Sequence, residues 1–510
     1  MSDGTFYITT PIYYPNGEPH LGHAYTTICA DAVARFHRLA GDRTWLLTGT
    51  DQHGQKMDNT AKELGVEPAT LADEMTAKFK GYFAEIGISN DDFIHTRQPR
   101  HVEAVTKMVE QLQANGDVYS GSYSGWYDEG EEAFVTETDA KANDYKSEVS
   151  GRPLVKYEEP TYFFKLGKYV PKLVEHIEAN PGFIQPDSRR NKILQDLKDL
   201  DKIGDLSITR SSLKWGTPMP GDAGHVLYVW VDALPNYYTA LDSDDKREAF
   251  WPADVHLIGK EILWFHTVYW PCILMSLGLP LPKQVYAHGW WTSEGRKMSK
   301  SLGNFVGLSE LREVTERFGL DAVRYYMLRA APFGSDLDWQ RDELTRAYTE
   351  LANVVGNGLN RVLKMTGKYR DGVVPSRDGA TPQDEELLQA SNALGDEVAE
   401  AWTELRLQDA VTLPVELARK MNAYIDQTEP FKLAKDESQS ARLDAVLATA
   451  TAALYQTLVA LLPVLPSKAA AGLEQLGVET ADRTFDDLRQ SAPTAGHQLG
   501  AGSPLFPRLD

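Results

Sequence analysis

A chain of 510 residues is too long for one hydrophobic core and should divide into two to four domains. Its 42% hydrophobic and 25% charged residues are those of an ordinary globular protein, and its apolar runs read as short and interrupted, so no membrane span is predicted. The formal net charge of −21 argues against nonspecific coating of nucleic acid and leaves room only for an RNA partner held by a local basic surface. Two cysteines, Cys29 and Cys272, cannot build a disulfide scaffold, and "MSDGTFYITTPIYY" has neither a basic nor an apolar leader segment. A cytoplasmic location fits both observations.

In chain order, "TFYITT" (5–10) reads as a strand, aromatic and β-branched, before the turn-rich "PIYYPNGEP". From His20 to Ala40 the apolar positions keep helical spacing, with Gly41 as a stop. "RTWLLTGTDQHG" supplies a second strand. Strand, helix and strand in about fifty residues make a βαβ unit, hence a parallel sheet with its ligand site at the carboxyl ends of the strands. Thr9, His20, His23 and Asp51 are predicted to converge there. Residues 115–225 are charged, turn-rich and less periodic, as in an insertion splitting the sheet domain. "HVLYVWVDA" (225–233) and "DVHLIGK" (254–260) read as buried strands, "EILWFHTVYWPCILMSLG" as a long apolar helix and "KQVYAHGWW" as another strand. From about Ala347 the pattern is all-helical, as in a bundle, and the tail from about Val478 is punctuated by Gly and Pro.

Two stretches carry chemistry. In "PHLGHAYTT" (19–27) the two histidines share a helix face at spacing i, i+3, on a terminus whose unpaired N–H groups favour phosphate. Gly22 between them would let a flat ring such as adenine lie against the backbone. Taken alone, such a pair more often means a capped or packed helix start. A zinc site is weaker still, since the Glu and the i, i+4 spacing of a helical HExxH motif are missing. In "GRKMSKSLGN" (295–304), glycines flank a run in which Lys297 and Lys300 could close over a triphosphate, although an isolated Lys–Ser run is most often a solvated loop.

Together and in this order the two motifs resemble the signature of the class I aminoacyl-tRNA synthetases, "HIGH" standing here as "HLGH" and "KMSKS" verbatim at 297–301. "TTPIYYPNGEPHLGHAYTT", "LLTGTDQHG", "YVWVDALPNYY", "HLIGKEILWFH" and "FGLDAVRYYMLR" are similar to the methionyl-tRNA synthetase family in particular. The resemblance runs from about residue 5 to the end of the chain. It implies an α/β fold: a Rossmann-like parallel-sheet catalytic domain split by an insertion, followed by an all-α helical-bundle anticodon-binding domain. The expected boundaries are 1–114 and 226–290 for the two catalytic halves and 115–225 for the insertion. They are 291–346 for the KMSKS loop and stem-contact region, 347–477 for the anticodon domain, and 478–510 for a tail packing back.

The implied activity is that of a methionine–tRNA ligase. The methionine carboxylate attacks the α-phosphate of ATP, pyrophosphate leaves, and methionyl passes to the terminal adenosine of tRNA(Met), initiator tRNA included. Catalysis would be positioning and charge stabilisation, with no protein nucleophile. By similarity, His20, His23, Lys297 and Lys300 are the catalytic residues, and Gly22, Gly259, Glu261, His288, Met298, Ser299 and Ser301 the ATP-binding ones. Ile12, Tyr14, Asp51, Trp230, Ala233, Leu234, Tyr237, Ile262 and His266 fall at methionine positions. Asp51 suits an ammonium, Tyr14 and Trp230 a polarisable thioether, and Tyr237 with His266 a weak hydrogen bond to its sulfur. For Trp270 a core role and a pocket-supporting role are equally expected. Mg²⁺ is expected with ATP.

Many members of this family carry a zinc knuckle in the insertion. Here Asp128 and Glu131 stand where cysteines would be, and no cysteine lies between Cys29 and Cys272, so no zinc is predicted. In the helical domain, Asn353, Asn357 and Arg361 lie four apart on one helix face, placed to read anticodon base edges. Phe431 stands where the family has a base-stacking Trp. Asn353 would serve equally as a buried contact between helices. The rivals are a synthetase for another apolar amino acid or a related nucleotidyltransferase, and a non-catalytic RNA-binding relative. The insertion is too short for an editing domain, and the two intact motifs argue against a pseudo-enzyme. No appended tRNA-binding and dimerisation module follows, so a monomer is expected.

Overall fold

The strand Thr5–Tyr13 (β1) is buried along almost its whole length, as a strand covered on both faces must be, and its β-branched and aromatic residues suit that place. These relationships come from a computed structural model that describes residues 4–129, 133–135, 137–148, 150–198, 204–298 and 304–509. The side chains of Ala133, Phe134, Thr138, Tyr157 and Lys297 lie outside that description. The chain divides into two compact units. A sheet unit comprises Thr5–Ala30 and Thr44–His288; a helical unit comprises Met1–Gly4, Asp31–Arg43 and Gly289–Asp510.

In the sheet unit, six strands stand in the order Asp92–His95 (β3), Arg43–Thr50 (β2), β1, Val255–Gly259, Val285–His288 and Ile184–Gln185. The pairs β2–β3, β1 with Val255–Gly259, Val255–Gly259 with Val285–His288, and Val285–His288 with Ile184–Gln185 are parallel. The sequence order reverses between β1 and Val255–Gly259, the switch point at which such sheets bind ligands. Gly49 in β2 is demanded by close approach: a Cβ there would lie 2.0 Å from the Ile94 carbonyl oxygen. Thr9 lies in the middle of β1 rather than at its carboxyl end, bonded to His256 Nδ1 at 2.8 Å, so it does not join the site predicted for it. The segment 115–225 is more regular than its composition suggested. Val118–Asp128, Ala133–Val135, Val155–Phe164 and Leu206–Ser207 make a four-stranded sheet, antiparallel in each pairing.

Two expected elements differ. In "HVLYVWVDA" the strand ends at Leu227, and Val229–Ala233 is a short helix. β-branched residues favour a strand only as a packing preference, and here Val229, Val231, Asp232 and Ala233 pack into the core as a helical turn while Trp230 stays half-buried at the pocket. "EILWFHTVYWPCILMSLG" is helical without interruption as expected, but not α throughout: it opens as the 3₁₀ turn Lys260–Ile262, widens to the π-helical turn Phe265–Tyr269 and continues as the α-helix Trp270–Leu277.

In the helical unit, Trp291–Ser293 and Arg296–Lys297 form a hairpin. Its two turn residues, Glu294 (φ 53°) and Gly295 (φ 71°), both take the left-handed region that a type I′ turn needs. Asp338 pins this turn, accepting from the Gly295 N–H at 2.9 Å and the Thr292 hydroxyl at 2.7 Å. The helices Pro382–Thr403, Leu407–Thr428 and Ser440–Leu461 pack together as the predicted bundle. Among the described residues, Glu437–Leu461 is long and apolar enough to cross a membrane, with a mean hydropathy of 1.3, contrary to the expectation of only short runs. Its apolar window is 89% buried, so in this fold it is the bundle's core helix. Arg324 and Asp31, both fully buried, pair at 2.7 Å. The tail returns to the bundle: Gln498 bridges Val373, and the Tyr348 hydroxyl donates to the Pro507 carbonyl at 2.5 Å.

Candidate active site

Helix Leu21–Ala40 (α1) begins where β1 has ended, and the His20 carbonyl accepts the Ala24 N–H at 3.1 Å, so His20 caps it. The His20 and His23 rings stack with centroids 3.7 Å apart. Each Nδ1 accepts a backbone N–H: His20 from Gly22 at 3.1 Å and His23 from His20 at 3.3 Å. A neutral ring whose Nδ1 accepts must carry its proton on Nε2, which makes Nε2–H the donor offered outward. Burial, and then the neighbouring His20, hold the His23 imidazole well below its ordinary pKa, in its neutral form. Tyr13 and Phe79 flank His23 at 4.8 and 5.0 Å between ring centroids. A Cβ on Gly22 would stand 3.1 Å from the His20 ring, so the small residue lets that ring fold onto the helix start.

Gly259 ends its strand and Glu261 follows in an exposed 3₁₀ turn. His288 ends the neighbouring strand, its Nε2 2.7 Å from the Thr26 hydroxyl on α1. Met298 is half-buried and follows the hairpin strand Arg296–Lys297. Ser299, Lys300 and Ser301 lie outside the described residues, as do the side chain of Lys297 and all of Glu131.

Eight of the nine residues predicted to hold the amino acid line one pocket at the switch point of the sheet: Ile12, Tyr14, Asp51, Trp230, Ala233, Leu234, Tyr237 and His266. The pocket holds about 260 Å³ of space, part of it continuous with solvent. Pro11 and Asn236 complete it, and sequence reasoning missed both, although each sits inside a quoted motif. Ile262 is not among the lining residues; instead its carbonyl accepts from His266 Nδ1 at 2.9 Å. That bond fixes the tautomer, so His266 Nε2 accepts the Tyr237 hydroxyl proton at 2.7 Å. The proton predicted for a ligand sulfur is thus committed to His266 in this structure. Burial lowers the His266 pKa to about 4 and keeps the ring neutral.

Trp230, which lines the pocket, stacks on Phe265 at 4.0 Å and 6°. Trp270 is fully buried in the core beneath, 6.4 Å from Tyr237 between ring centroids, and does not line the pocket. Among the described residues Asp51 is the carboxylate that lines the pocket; it follows β2 directly, its N–H bonded to the Tyr13 carbonyl at 2.9 Å. A pocket lined mainly by apolar and aromatic side chains, with one carboxylate among its described lining residues, can hold a zwitterionic apolar amino acid by its ammonium and its side chain.

The family model for tRNA synthetases class I (M) matches residues 6–363. The chain belongs to this methionine branch of the class I synthetases. It is 43% identical to the methionine–tRNA ligase of Halalkalibacterium halodurans, over 99% of this chain and 78% of that one. It is 41% identical to that of Bacillus subtilis, over 100% and 79%. The methionyl-tRNA synthetase of Mycobacterium tuberculosis in complex with methionyl-adenylate superimposes with a TM-score of 0.93 at 37% identity, over 99% of this chain and 100% of that chain. Its free-state structure gives 0.87 at 35% identity, over 99% and 98%.

In the helical unit, a π-helical turn, Leu351–Gly356, runs into the helix Asn357–Arg370, so the expected four-residue spacing does not carry across it unchanged. Asn422 donates to the Val354 carbonyl within that turn at 2.9 Å. Asn353 and Asn357 are exposed, which removes the buried-contact alternative for Asn353, and Arg361 is bonded to Asp426 at 2.5 Å. Phe431 is 52% exposed. Among the described residues no group of three or more His, Cys, Asp or Glu is placed to hold a metal ion.

Proposed function

We propose that the pocket between β1 and Val255–Gly259 takes L-methionine and that the start of α1 takes the phosphates of ATP. The chain is an aminoacyl-tRNA synthetase that activates methionine with ATP and charges tRNA. The observation that carries the site assignment is the meeting of eight expected side chains in one pocket, with Asp51 the carboxylate among its described lining residues. In this arrangement Asp51 pairs with the substrate ammonium, and Trp230, Ala233, Leu234, Tyr14 and Ile12 enclose the thioether chain.

The methionine carboxylate oxygen bonds to the α-phosphorus while the bond from that phosphorus to the bridging oxygen breaks, releasing pyrophosphate. The Nε2–H groups of His20 and His23 donate to the phosphate oxygens as charge develops there. Gly22, Gly259, Glu261, His288 and Met298 are assigned to ATP, as are Ser299 and Ser301; Lys297 and Lys300 are assigned to the leaving pyrophosphate. Mg²⁺ would accompany the nucleotide and would neutralise charge on its phosphates. The 2′-hydroxyl oxygen of the terminal adenosine of tRNA then bonds to the methionyl carbonyl carbon, the bond from that carbon to the phosphate oxygen breaks, and AMP leaves as the hydroxyl proton is released. Exposed Asn353, Asn357 and Phe431, with Arg361, are assigned to the anticodon, and initiator tRNA is taken as a substrate.

The finer domain division, with 115–225 as a connective insertion and 347–477 as the anticodon domain, is supported by the separate antiparallel sheet in the former and the bundle in the latter. The insertion is assigned no zinc, which metal analysis of the purified protein checks. A cytoplasmic monomer completes the assignment, with light scattering as its test. Amino-acid-dependent ATP–pyrophosphate exchange decides the substrate: methionine should drive it well above homocysteine, norleucine and leucine. Preference for another apolar amino acid would overturn the pocket assignment.

A further inference from the structure

The two ends of the pocket come from distant parts of the chain, and one buried carboxylate ties them together. Asp232 lies in the short helix Val229–Ala233, between Trp230 and Ala233, which line the pocket. Its carboxylate is 1% exposed and accepts from Nδ1 of His53 at 2.7 Å. From the other side, Nε2 of His101 donates to the Asp232 backbone carbonyl at 2.9 Å, while Nδ1 of His101 meets the Thr239 hydroxyl at 2.7 Å. His53 is two residues beyond Asp51, and its own N–H donates to Asp51 Oδ1 at 3.2 Å, the oxygen that the Thr96 hydroxyl also meets at 3.3 Å.

A buried carboxylate is a poor choice for mere cohesion, since an apolar pair of similar volume would pack as well or better. What a charge-assisted bond adds is direction. The Asp232–His53 bond fixes the His53 ring, the ring fixes the backbone at residue 53, and that backbone N–H aims the Asp51 carboxylate. The helix bearing Asp232 also presents Trp230 and Ala233, so one residue sets the separation between the carboxylate and the apolar wall.

We propose that Asp232 is a positioning residue for the amino acid: through His53 it holds Asp51 at the distance from the Trp230 wall that methionine requires. The proposal rests on the assignment of Asp51 to the substrate ammonium. It predicts a defect that depends on whether the ligand has an ammonium group.

The test uses the full chain in ATP–pyrophosphate exchange, comparing the KM of L-methionine with the Ki of 4-(methylthio)butanoate, which keeps the thioether and carboxylate but lacks the ammonium. Asp232→Asn should raise the methionine KM about tenfold and leave the Ki of the deamino analogue and the KM of ATP within about twofold. His53→Leu should do the same, while His53→Asn, whose amide nitrogen can stand where Nδ1 stood, should restore most of the loss. The His53 pair decides the matter if Asp232→Asn does not fold. Equal shifts for methionine and the deamino analogue, or an unchanged methionine KM, overturn the proposal. Asp51→Asn in the same assay separates the two levels. If it erases the difference between the two ligands while Asp232→Asn and His53→Leu do not, only the positioning role fails. If it leaves that difference intact, the ammonium assignment fails and the positioning role with it.

Discussion

Tyr237 gives its hydroxyl proton to Nε2 of His266 across 2.7 Å, because Nδ1 of that ring is already donating to the Ile262 carbonyl at 2.9 Å. The two side chains therefore face the pocket as one hydrogen-bonded unit, presenting the lone pairs of the Tyr237 oxygen beside the imidazole. Tyr237→Phe would leave Nε2 an unpaired buried acceptor, at a cost of about 1–3 kcal/mol. That cost is the same with the pocket empty or full, so it should appear as a lower urea midpoint and leave the methionine KM in the exchange assay within a few-fold. The stacked wall of Trp230 and Phe265 is untouched by this change, so norleucine should remain a detectable substrate.

Burial also sets an acid limit. His266 titrates at about 4, and His256 and His23 are held well below the ordinary histidine value, each by desolvation first. An unfolded histidine titrates near about 6.5, so the unfolded chain binds more protons below that pH. The stabilisation is fully present above pH 6.5 and is lost as pH falls from there toward 4 and below. Urea midpoints measured between pH 7.5 and 4.5 should decline, and His256→Gln should flatten the decline. A slope unaffected by that substitution would contradict it.

Asp338 holds the hairpin that leads into the KMSKS segment by accepting from the Gly295 N–H and the Thr292 hydroxyl. Asp338→Ala removes both bonds at a turn whose two residues are in the left-handed region. The kcat of methionine activation is expected to fall about tenfold, with the methionine KM unchanged, because only the entry to this loop is loosened. A rise in the methionine KM alone would be inconsistent with that role.

Phe431 is half-exposed and buries little in the bundle, so Phe431→Ala should change the melting temperature by no more than its neighbours on the surface would. Base–aromatic stacking is worth about 1–3 kcal/mol per base. Aminoacylation kcat/KM for tRNA should therefore drop roughly 5- to 100-fold, with exchange unaffected. Equal aminoacylation by both forms would remove Phe431 from the anticodon assignment.

Much of the molecule was legible without coordinates, and the failures share a cause. β1, α1 with its Gly41 stop, β2 and the helices of the bundle follow from local propensity and period. "HVLYVWVDA" reads as a strand because its valines and aromatics suit one, whereas tertiary packing makes residues 229–233 a helical turn with Trp230 half-buried at the pocket. The turn Phe265–Tyr269 in "EILWFHTVYWPC" and the turn at Leu351–Gly356 are π-helical, and no single-residue preference announces a widened turn. Thr9 is expected at a carboxyl end if the strand is read as 5–10, but the strand runs on to Tyr13 and its register places Thr9 against His256.

What the sequence determined by itself is therefore whatever contiguous residues can specify: the βαβ start, the histidine pair at a helix terminus, the KMSKS run and the family they announce. Only the tertiary structure decided which tautomer His266 holds, that Ile262 serves through its carbonyl, and that Asp232 reaches His53 across 179 positions of the chain. The physical reason is that a hydrogen bond depends on distance and direction between atoms, and both are set by how strands far apart in sequence come to lie side by side.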